Sequence, residues 1–267
     1  MKKIFIMFCS LMMFGLFIFS GCAGSSDKNH SQSSTAIDLG KANVGDYVTF
    51  GHYEQDNNLD NGKEDIEWKV LDKKNGHILL LSRYGLDCQK YNEVQTDVTW
   101  ENCTLRNWLN SSFLEEAFSA SEKSAIPTVT LSNPDNPTSG TGGGNDTQDQ
   151  IFLLSLQELQ QYFDVSYIWT DHDGKSHDVA GIKWYIGGSK DVITSPTAYA
   201  KAQGANTYSL FHDSEGKVSC WWWLRSPGNG SGSAAYVYNN GYVDAYGFGV
   251  NNGDYAVRPA LWVNLAS

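Results

Sequence analysis

The sequence predicts an α+β fold with antiparallel sheets, short helices and a C-terminal hairpin. Segments that alternate between apolar and polar residues are separated by Asn-Gly turns, which is typical of antiparallel strands. The helical segments are brief and carry capping residues. The stretch from Cys220 to Leu265 has aromatic and apolar ends and a middle built mainly from Asn, Gly, Ser, Ala, Tyr, Val, Asp and Phe. We expect this stretch to carry the working surface of the protein.

The first sheet is expected to be antiparallel. Residues 44–50, 66–71 and 77–82 are predicted as strands, and Asn75-Gly76 marks a tight turn between the last two. Residues 150–154 are predicted as a further strand.

Five short helices are predicted, over residues 104–109, 112–118, 121–126, 155–163 and 196–204. Ser111 or Ser112 can cap the second helix, and Ser121 heads the third. Ser155 and Glu158 have the spacing of a capping box at the start of the fourth. The apolar residues of the first two helices are expected in the core.

The ends of the C-terminal stretch are predicted to be two strands of one sheet. They are Trp221 to Leu224 and residues 257–265, with Pro259 at an edge or a bulge. Between them, two alternating segments flank Asn240-Gly241, which is a strong hairpin signal. If the valines of the hairpin point inward, its tyrosines and acidic residues share an outward face.

That outward face is the candidate ligand-binding site. It comprises Tyr236, Tyr238, Tyr242, Asp244, Tyr246, Phe248, Asn252, Asp254 and Tyr255. Tyr with Ser, Gly and Asn is typical of recognition surfaces, because Tyr offers a large amphipathic contact at low entropic cost. The alternative is that these tyrosines form ordinary cross-strand pairs. Arg225 and Arg258 are expected to anchor buried carboxylates or carbonyls rather than to contact ligand.

The N-terminus has the pattern of a lipoprotein signal. Lys2 and Lys3 precede an apolar run that is shorter than the roughly 20 residues a bilayer requires. The run ends at Phe19-Ser20-Gly21-Cys22, which resembles a bacterial lipobox. We expect a signal peptide over residues 1–21, a lipidated Cys22 that begins a flexible tether over residues 22–43, and one domain over residues 44–267.

The mature chain is expected to be acidic and extracytoplasmic, anchored to the cell membrane by its lipid. Loss of the two signal lysines changes the formal net charge from −11 to −13. An acidic chain without a clustered basic face argues against nucleic acid as a partner. It also argues against electrostatic adhesion to anionic lipid.

Three cysteines lie outside the signal and the lipid site: Cys88, Cys103 and Cys220. An odd number leaves at least one thiol free unless it pairs between chains. Cys88 and Cys103 are the pair expected to form a disulfide in an oxidising exterior. In an anaerobic source all three would be small buried hydrophobes.

No cofactor or metal is expected. Four residues approach the spacing of calcium ligands: Asp56, Asn58, Asp60 and Glu67. However, Asn61 occupies the sixth position, where a calcium loop needs Gly. The glycine-rich segment 133–147 lacks the Lys and Ser or Thr of a phosphate-binding loop. The turn at residues 170–178 holds His and Asp at no fixed metal-ligand spacing.

Seven segments in order resemble an uncharacterised bacterial domain family of secreted proteins and lipoproteins. They are IEWKVLD, LLLSRYGLDC, TWENCTLRNWLN with FLEEAFS, QDQIFLLS, PTAYAKAQGA, WWWLRSPG and VRPALW. The family is similar to the C-type-lectin-like fold of formylglycine-generating enzymes, whose C-terminal hairpins present a ligand face. The resemblance implies a binding face here. It does not imply oxidase activity, because those enzymes bind copper through a C-terminal pair of cysteines and Cys220 stands alone.

The C-terminal frame also resembles the variable proteins that diversity-generating retroelements mutate at adenines. Residues 229–256 contain no Lys, Glu, Gln, Met or Trp, as expected if Asn codons had been scrambled. The resemblance implies a diversified hairpin face. The alternative is that loops rich in Gly, Asn, Ser and Tyr have this composition by chance.

The predicted function is therefore that of a cell-surface lipoprotein that binds an extracellular protein or glycan. One alternative is a secreted wall-polymer hydrolase, with Asp171 and Asp173 or Glu115 and Glu116 as paired carboxylates. A turn or a helix surface explains both pairs, and no nucleophile–base pair is legible, so we expect no enzyme. The other alternative is a purely structural envelope protein.

Overall fold

The computed structural model describes residues 38–163, 165, 168–170, 176–178, 185–186 and 190–265. The predicted signal peptide, Cys22 and most of the predicted tether lie outside these residues, as do Asp171 and Asp173. Residues 36–267 group into one compact unit. Within the described ranges, no helix has the length and apolar character needed to cross a bilayer.

The described part of the chain contains seventeen strands and five α-helices. The strands are β1 (Tyr47–Tyr53), β2 (Glu64–Lys74), β3 (His77–Ser82), β4 (Asp87–Cys88), β5 (Val129–Leu131), β6 (Thr147–Asp149), β7 (Ile151–Phe152), β8 (Ile168–Thr170), β9 (Ser176–Asp178), β10 (Tyr185–Ile186), β11 (Thr207–His212), β12 (Val218–Cys220), β13 (Trp222–Pro227), β14 (Ser233–Val237), β15 (Val243–Gly249), β16 (Ala256–Val257) and β17 (Ala260–Asn264). The helices are α1 (Thr104–Trp108), α2 (Leu114–Ala117), α3 (Ala120–Ala125), α4 (Leu156–Tyr162) and α5 (Ala198–Ala202).

Two sheets form the framework. The first has the order β1-β2-β3-β17-β7, and the second has the order β10-β15-β14-β13-β16-β4. Three further pairs, β5-β6, β8-β9 and β11-β12, are two-stranded. Among the described strands, β13 and β16 are parallel and the other pairs are antiparallel. The prediction of an α+β chain with mostly antiparallel sheets and few short helices is confirmed.

The β2–β3 hairpin forms where its turn residues predict it. Asn75 and Gly76 both have positive φ, at 52° and 76°, which is the geometry of a two-residue turn matched to strand twist. β3 begins and ends at the predicted residues, whereas β2 is longer than predicted at both ends. β1 begins three residues late, because Asn43 and Asp46 close a turn before it.

The two helices predicted over residues 104–118 form one continuous helical segment. α1 runs through a π-helical turn at Leu109–Phe113 into α2, so no second cap is needed. The prediction that Ser111 or Ser112 caps a helix is therefore wrong. Ser111 instead donates its hydroxyl to the carbonyl of Asn107, at 2.6 Å.

The caps of the later helices follow the expected chemistry with one change of residue. Ser155 caps α4 and forms the predicted capping box with Glu158. α3 has its own capping box, in which Ser119 rather than Ser121 is the cap. Thr197 caps α5, so the helix begins after Pro196.

The two ends of the C-terminal stretch lie mainly in different sheets, which corrects the prediction that they share one. Ala256 pairs with Trp222 of β13, but β17 pairs with β3 and β7 of the first sheet. Pro259 lies between β16 and β17 and has no N–H to donate. The chain therefore leaves the second sheet there and enters the first.

The glycine-rich loop clamps the second sheet through Asn136. This side chain is buried, and its Nδ2 donates to the carbonyls of Pro227 at 2.8 Å, Gly228 at 3.1 Å and Ala245 at 2.7 Å. Its Oδ1 accepts from the backbone N–H of Thr138 at 2.9 Å. The loop thus ties the end of β13 to the middle of β15.

The three cysteines of the domain are buried free thiols, and the disulfide expected between Cys88 and Cys103 is not formed. Cys88 Sγ donates to the carbonyl of Gly253, at 3.0 Å. Burial raises the pKa of Cys88 and that of Cys103 to about 12, and it raises the pKa of Cys220 further. The structure therefore matches the alternative of small buried hydrophobes.

Candidate functional site

The two faces of the second sheet bury different kinds of side chain. Val237 and Val243 pair across β14 and β15 and are fully buried, as predicted for the inward face. On the opposite face, Tyr236 lies between its cross-strand partners Trp223 on β13 and Asp244 on β15. The second face is therefore built around aromatic rings.

Six rings form what we call the aromatic cluster: Trp221, Trp223, Tyr236, Tyr238, Phe248 and Tyr255. Tyr255 is at its centre, with its ring centroid 3.9 Å from that of Trp223 and 4.7 Å from that of Tyr236. Aromatic pairs of this kind each stabilise a protein by about 0.5–1.5 kcal/mol beyond the area they bury. The cluster is therefore a rigid base.

Three of the nine predicted ligand-binding residues are buried: Tyr236, Asp244 and Tyr255. The expectation that all nine face solvent together is wrong. The alternation of residues along a hairpin shows that its two faces differ. It does not show that Trp223 on β13 and Tyr255 before β16 cover the second face. Among the other predicted residues, Tyr238, Tyr242 and Asn252 are partly buried, whereas Tyr246, Phe248 and Asp254 are exposed.

The solvent-facing part of the site is the pair of rings Tyr246 and Phe248, which we call the exposed aromatic pair. Their exposed fractions are 39 % and 49 %. They lie two residues apart on β15. Phe248, whose ring is 6.2 Å from that of Tyr255, belongs to both the exposed pair and the aromatic cluster and so connects them.

Asp244 fixes the bulge that positions this pair. The register of β14 and β15 shifts between Ala234 and Tyr236. At the shift, Asp244 Oδ1 accepts the backbone N–H groups of Tyr246 at 2.8 Å and Gly247 at 3.2 Å. Gly247 has φ of 80°, and a Cβ there would lie 2.5 Å from the carbonyl oxygen of Ala234. Bulges of this kind re-aim side chains at the edges of sites.

Asp244 is also hydrogen-bonded by the hydroxyls of Tyr236 and Tyr238. Burial raises the pKa of Asp244 above its ordinary value, and the hydrogen bonds from the two tyrosines and the backbone oppose that rise. Burial likewise raises the pKa of Tyr236. Because it is buried and accepts two backbone N–H groups, the carboxylate organises the site from within.

Trp221 is the incompletely satisfied member of the cluster. Its Nε1 is completely enclosed and has no hydrogen-bond acceptor among the residues the structure describes. Its ring meets that of Tyr238 edge to face, at 6.0 Å and 82°. By contrast, Nε1 of Trp223 donates to the carbonyl of Gln89 at 3.1 Å.

A loop far away in sequence borders the face and was not predicted. Gln95 Nε2 donates to the carbonyl of Gly232 at 2.8 Å, and the N–H of Asn92 donates to the carbonyl of Val250 at 2.8 Å. Gln95 and Gly232 are 137 positions apart, so no local pattern could indicate this contact.

In the acidic loop before β2, the carboxylates that come together are not the set whose spacing resembles that of calcium ligands. Glu54, Asp56 and Glu64 converge within 4.8 Å, whereas Glu67 forms an ion pair with Arg83. Glu64 Oε2 accepts the backbone N–H of Gln55 at 2.7 Å and that of Asp56 at 3.3 Å. These bonds close the loop and account for the cluster.

The described carboxylate pair considered for hydrolysis is engaged in ion pairs on the surface. Glu115 pairs with Lys123, and Glu116 pairs with Lys63 at 3.3 Å. The two carboxylates thus bind different lysines.

Comparison with known proteins gives one match. Residues 75–265 match the family described as a domain of unknown function, DUF6273. No curated protein and no solved structure matches the chain. The matched region runs from the β2–β3 turn to the end of β17 and includes the whole aromatic cluster. Because it covers more than half of the chain, the protein belongs to the DUF6273 family.

Proposed function

We propose that this protein is a lipid-anchored surface protein that binds an extracellular protein or glycan through the exposed aromatic pair and its partly buried neighbours. The observation that carries the proposal is Phe248, an apolar ring held half-exposed on a rigid base. Covering the exposed half removes roughly 100 Å² of apolar surface, which stabilises a complex by about 2 kcal/mol.

The surroundings of the pair suit recognition. Asn252 and Asp254 supply polar groups in the segment that follows β15, where Asp254 is exposed, and Tyr238 is a partly buried member of the aromatic cluster. A central aromatic anchor with a polar rim is the usual arrangement of a binding site whose affinity depends on a few residues.

Binding is tested with the full protein, extracted in detergent and screened on glycan and extracellular-protein arrays. We expect saturable binding that the double substitution Tyr246→Ala and Phe248→Ala weakens at least about tenfold. Leu59→Ala, which shortens an exposed apolar side chain far along the sequence, is the matched control and is expected to leave binding unchanged. The absence of saturable binding on both arrays contradicts the proposal, and turnover of a wall polymer supports the hydrolase alternative.

The anchor is tested separately by feeding cells an alkyne-tagged fatty acid. We expect the wild-type protein to be labelled and found in the membrane fraction, because Cys22 carries the lipid in the proposal. Cys22→Ala is expected to be unlabelled. Equal labelling of the two would show that the acyl chain is elsewhere.

The proposed diversification of the hairpin face is tested on the genome. A reverse-transcriptase gene and a near-identical template repeat are expected beside this gene. If related strains carry this gene and repeat, we expect the sequences of this protein to differ between strains at exposed positions such as Tyr246 and Phe248. We expect no such differences at buried positions such as Val237 and Val243. Finding neither gene nor repeat would remove this part of the proposal.

A further inference from the structure

A cavity of about 600 Å³ lies apart from the aromatic cluster. It is bordered by β1 and β2, by the β11–β12 hairpin with its turn, and by the turn at Asn240. Tyr242 is the one predicted ligand-binding residue in its wall. The volume is in the range of sites that enclose small molecules.

A buried cation forms part of the cavity wall. Arg258 is only 3 % exposed, and its guanidinium lies over the ring of Trp222 at 5.0 Å. Nε donates to the carbonyl of Ser82 at 2.9 Å, and Nη1 donates to the carbonyl of Val192 at 3.1 Å. This anchoring of carbonyls is as predicted, but it uses only part of the five N–H donors of a guanidinium.

No carboxylate in the described ranges forms an ion pair with Arg258. Burial lowers the pKa of this guanidinium to about 10, which leaves it charged at neutral pH. A buried charge without a counter-ion is unfavourable. Arg258 is part of the cavity lining, and its Nη2 makes no hydrogen bond to the described residues, which leaves that group available to a ligand in the cavity.

Arg225, a second buried arginine of the same chain, has hydrogen-bond partners on all three nitrogens of its guanidinium. Arg225 is also 3 % exposed. It donates to the carbonyls of Leu153 and Ser132, to Asn133 Oδ1, and twice to the carboxylate of Glu158. Within the described residues, therefore, Arg225 has a carboxylate partner, whereas Arg258, in the cavity wall, has none.

The charge of the described lining indicates a ligand with a single negative charge. Four cations and three carboxylates line the cavity: Lys69, Arg83, Lys190 and Arg258 against Asp191, Asp213 and Glu215. Just outside the lining, Glu67 pairs with Arg83 and Lys217 pairs with Glu215, and these two outer charges cancel each other. The excess of one positive charge matches a carboxylate better than a doubly charged phosphate.

The remaining lining is apolar and aromatic. Leu210 and Phe211 on β11 are exposed, and Leu210 is 70 % exposed. Tyr47, Tyr84 and Tyr242 add rings to the wall. Such surfaces favour a ligand with an apolar or aromatic body.

From these observations we propose that the cavity is a second binding site, for a small monocarboxylate with an apolar or aromatic body. Arg258 binds the carboxylate, and Leu210 with Phe211 covers the body. This site is separate from the face proposed above and does not depend on it.

The test is calorimetry on the full protein with three probe acids, each against its uncharged amide. The probes are N-acetylphenylalanine, N-acetylleucine and hexanoate. We expect at least one acid to bind saturably and at least about tenfold more tightly than its amide, because the amide loses the charge-assisted hydrogen bonds to Arg258. Equal binding of every acid and its amide, or no saturable binding of any acid, overturns the proposal.

Two substitutions locate the binding site without disturbing the buried cation. Phe211→Ala on the cavity rim is expected to weaken binding of the acid severalfold. Phe248→Ala on the aromatic face is the matched control and is expected to leave it unchanged. The reverse pattern assigns the acid to the aromatic face and overturns the cavity proposal, whereas failure of the array screen alone leaves the cavity result standing.

Discussion

The buried ion pair between Arg225 and Glu158 should make a large polar contribution to the stability of the site's scaffold. The guanidinium is fully enclosed, and Nη2 donates to Glu158 Oε1 at 3.0 Å while Nη1 donates to Oε2. Glu158→Gln keeps the shape and one acceptor but removes the charge. Neutralising one partner of a buried pair leaves the other uncompensated and typically costs 3–5 kcal/mol. Because the side chain of Glu158 is 23 % exposed, we expect about 3 kcal/mol, the lower end of that range.

Two control substitutions separate the loss of the buried ion pair from the loss of the α4 cap and from the loss of an exposed ion pair. Glu158 also receives the N–H of Ser155 in the capping box of α4, at 2.9 Å. Ser155→Ala, which removes the cap and keeps the ion pair, is expected to cost about 1 kcal/mol. Glu115→Gln, which breaks the exposed pair with Lys123, is expected to cost less than about 1 kcal/mol.

The assay is urea denaturation followed by tryptophan fluorescence, together with thermal unfolding. For a chain of this length, a loss of about 3 kcal/mol lowers the Tm by about 6–12 °C. The reasoning is refuted if Glu158→Gln lowers the free energy of unfolding no more than Ser155→Ala does. That result would show that the guanidinium finds water or another partner when the charge is removed.

Three further predictions concern the cluster, the buried carboxylate and the thiols. Trp223→Phe is expected to lower the free energy of unfolding by about 3 kcal/mol, and Trp221→Phe by only about 1 kcal/mol. The reason is that only Trp223 loses a hydrogen bond. Equal losses of unfolding free energy in urea denaturation would contradict this. Burial raises the pKa of Asp244 in the folded state. The protonated carboxyl therefore stabilises the fold fully below the unfolded pKa of about 4. This stabilisation is lost as the pH rises through the folded pKa. In the wild-type protein the free energy of unfolding should therefore fall between about pH 4 and neutrality, and Asp244→Asn should make this fall smaller. If the free energy of unfolding depends on pH equally in both proteins, another group is responsible. The three buried cysteines should be unreactive to a thiol reagent in the native mature protein at pH 8 and should all react after unfolding; rapid native reaction would show that one of them is accessible.

Local chemistry made several elements of this fold predictable. The turn at Asn75 and Gly76 forms because both residues tolerate positive φ, and the α4 capping box forms because Ser155 and Glu158 satisfy each other's backbone donors three positions apart. The hairpin of β14 and β15 likewise follows from alternation around Asn240-Gly241.

An aromatic face forms in the predicted part of the chain, but several of its predicted members are buried. Val237 and Val243 point into the core as expected, but Tyr236 and Tyr255 are buried on the other side. The bulge at Gly247 also re-aims β15 in a way that strict period-two alternation does not anticipate.

The sequence by itself determined the fold class, the hairpins, the capping box of α4 and the region of the chain where the aromatic residues gather. These features depend on neighbours within a few positions, where side-chain type and backbone preference act directly. Only the tertiary structure decided which rings remain exposed, that Pro259 separates two sheets, and that Arg225 receives a carboxylate while Arg258 faces a cavity. Those outcomes depend on contacts between residues dozens of positions apart or more, and on the space left after every element has packed.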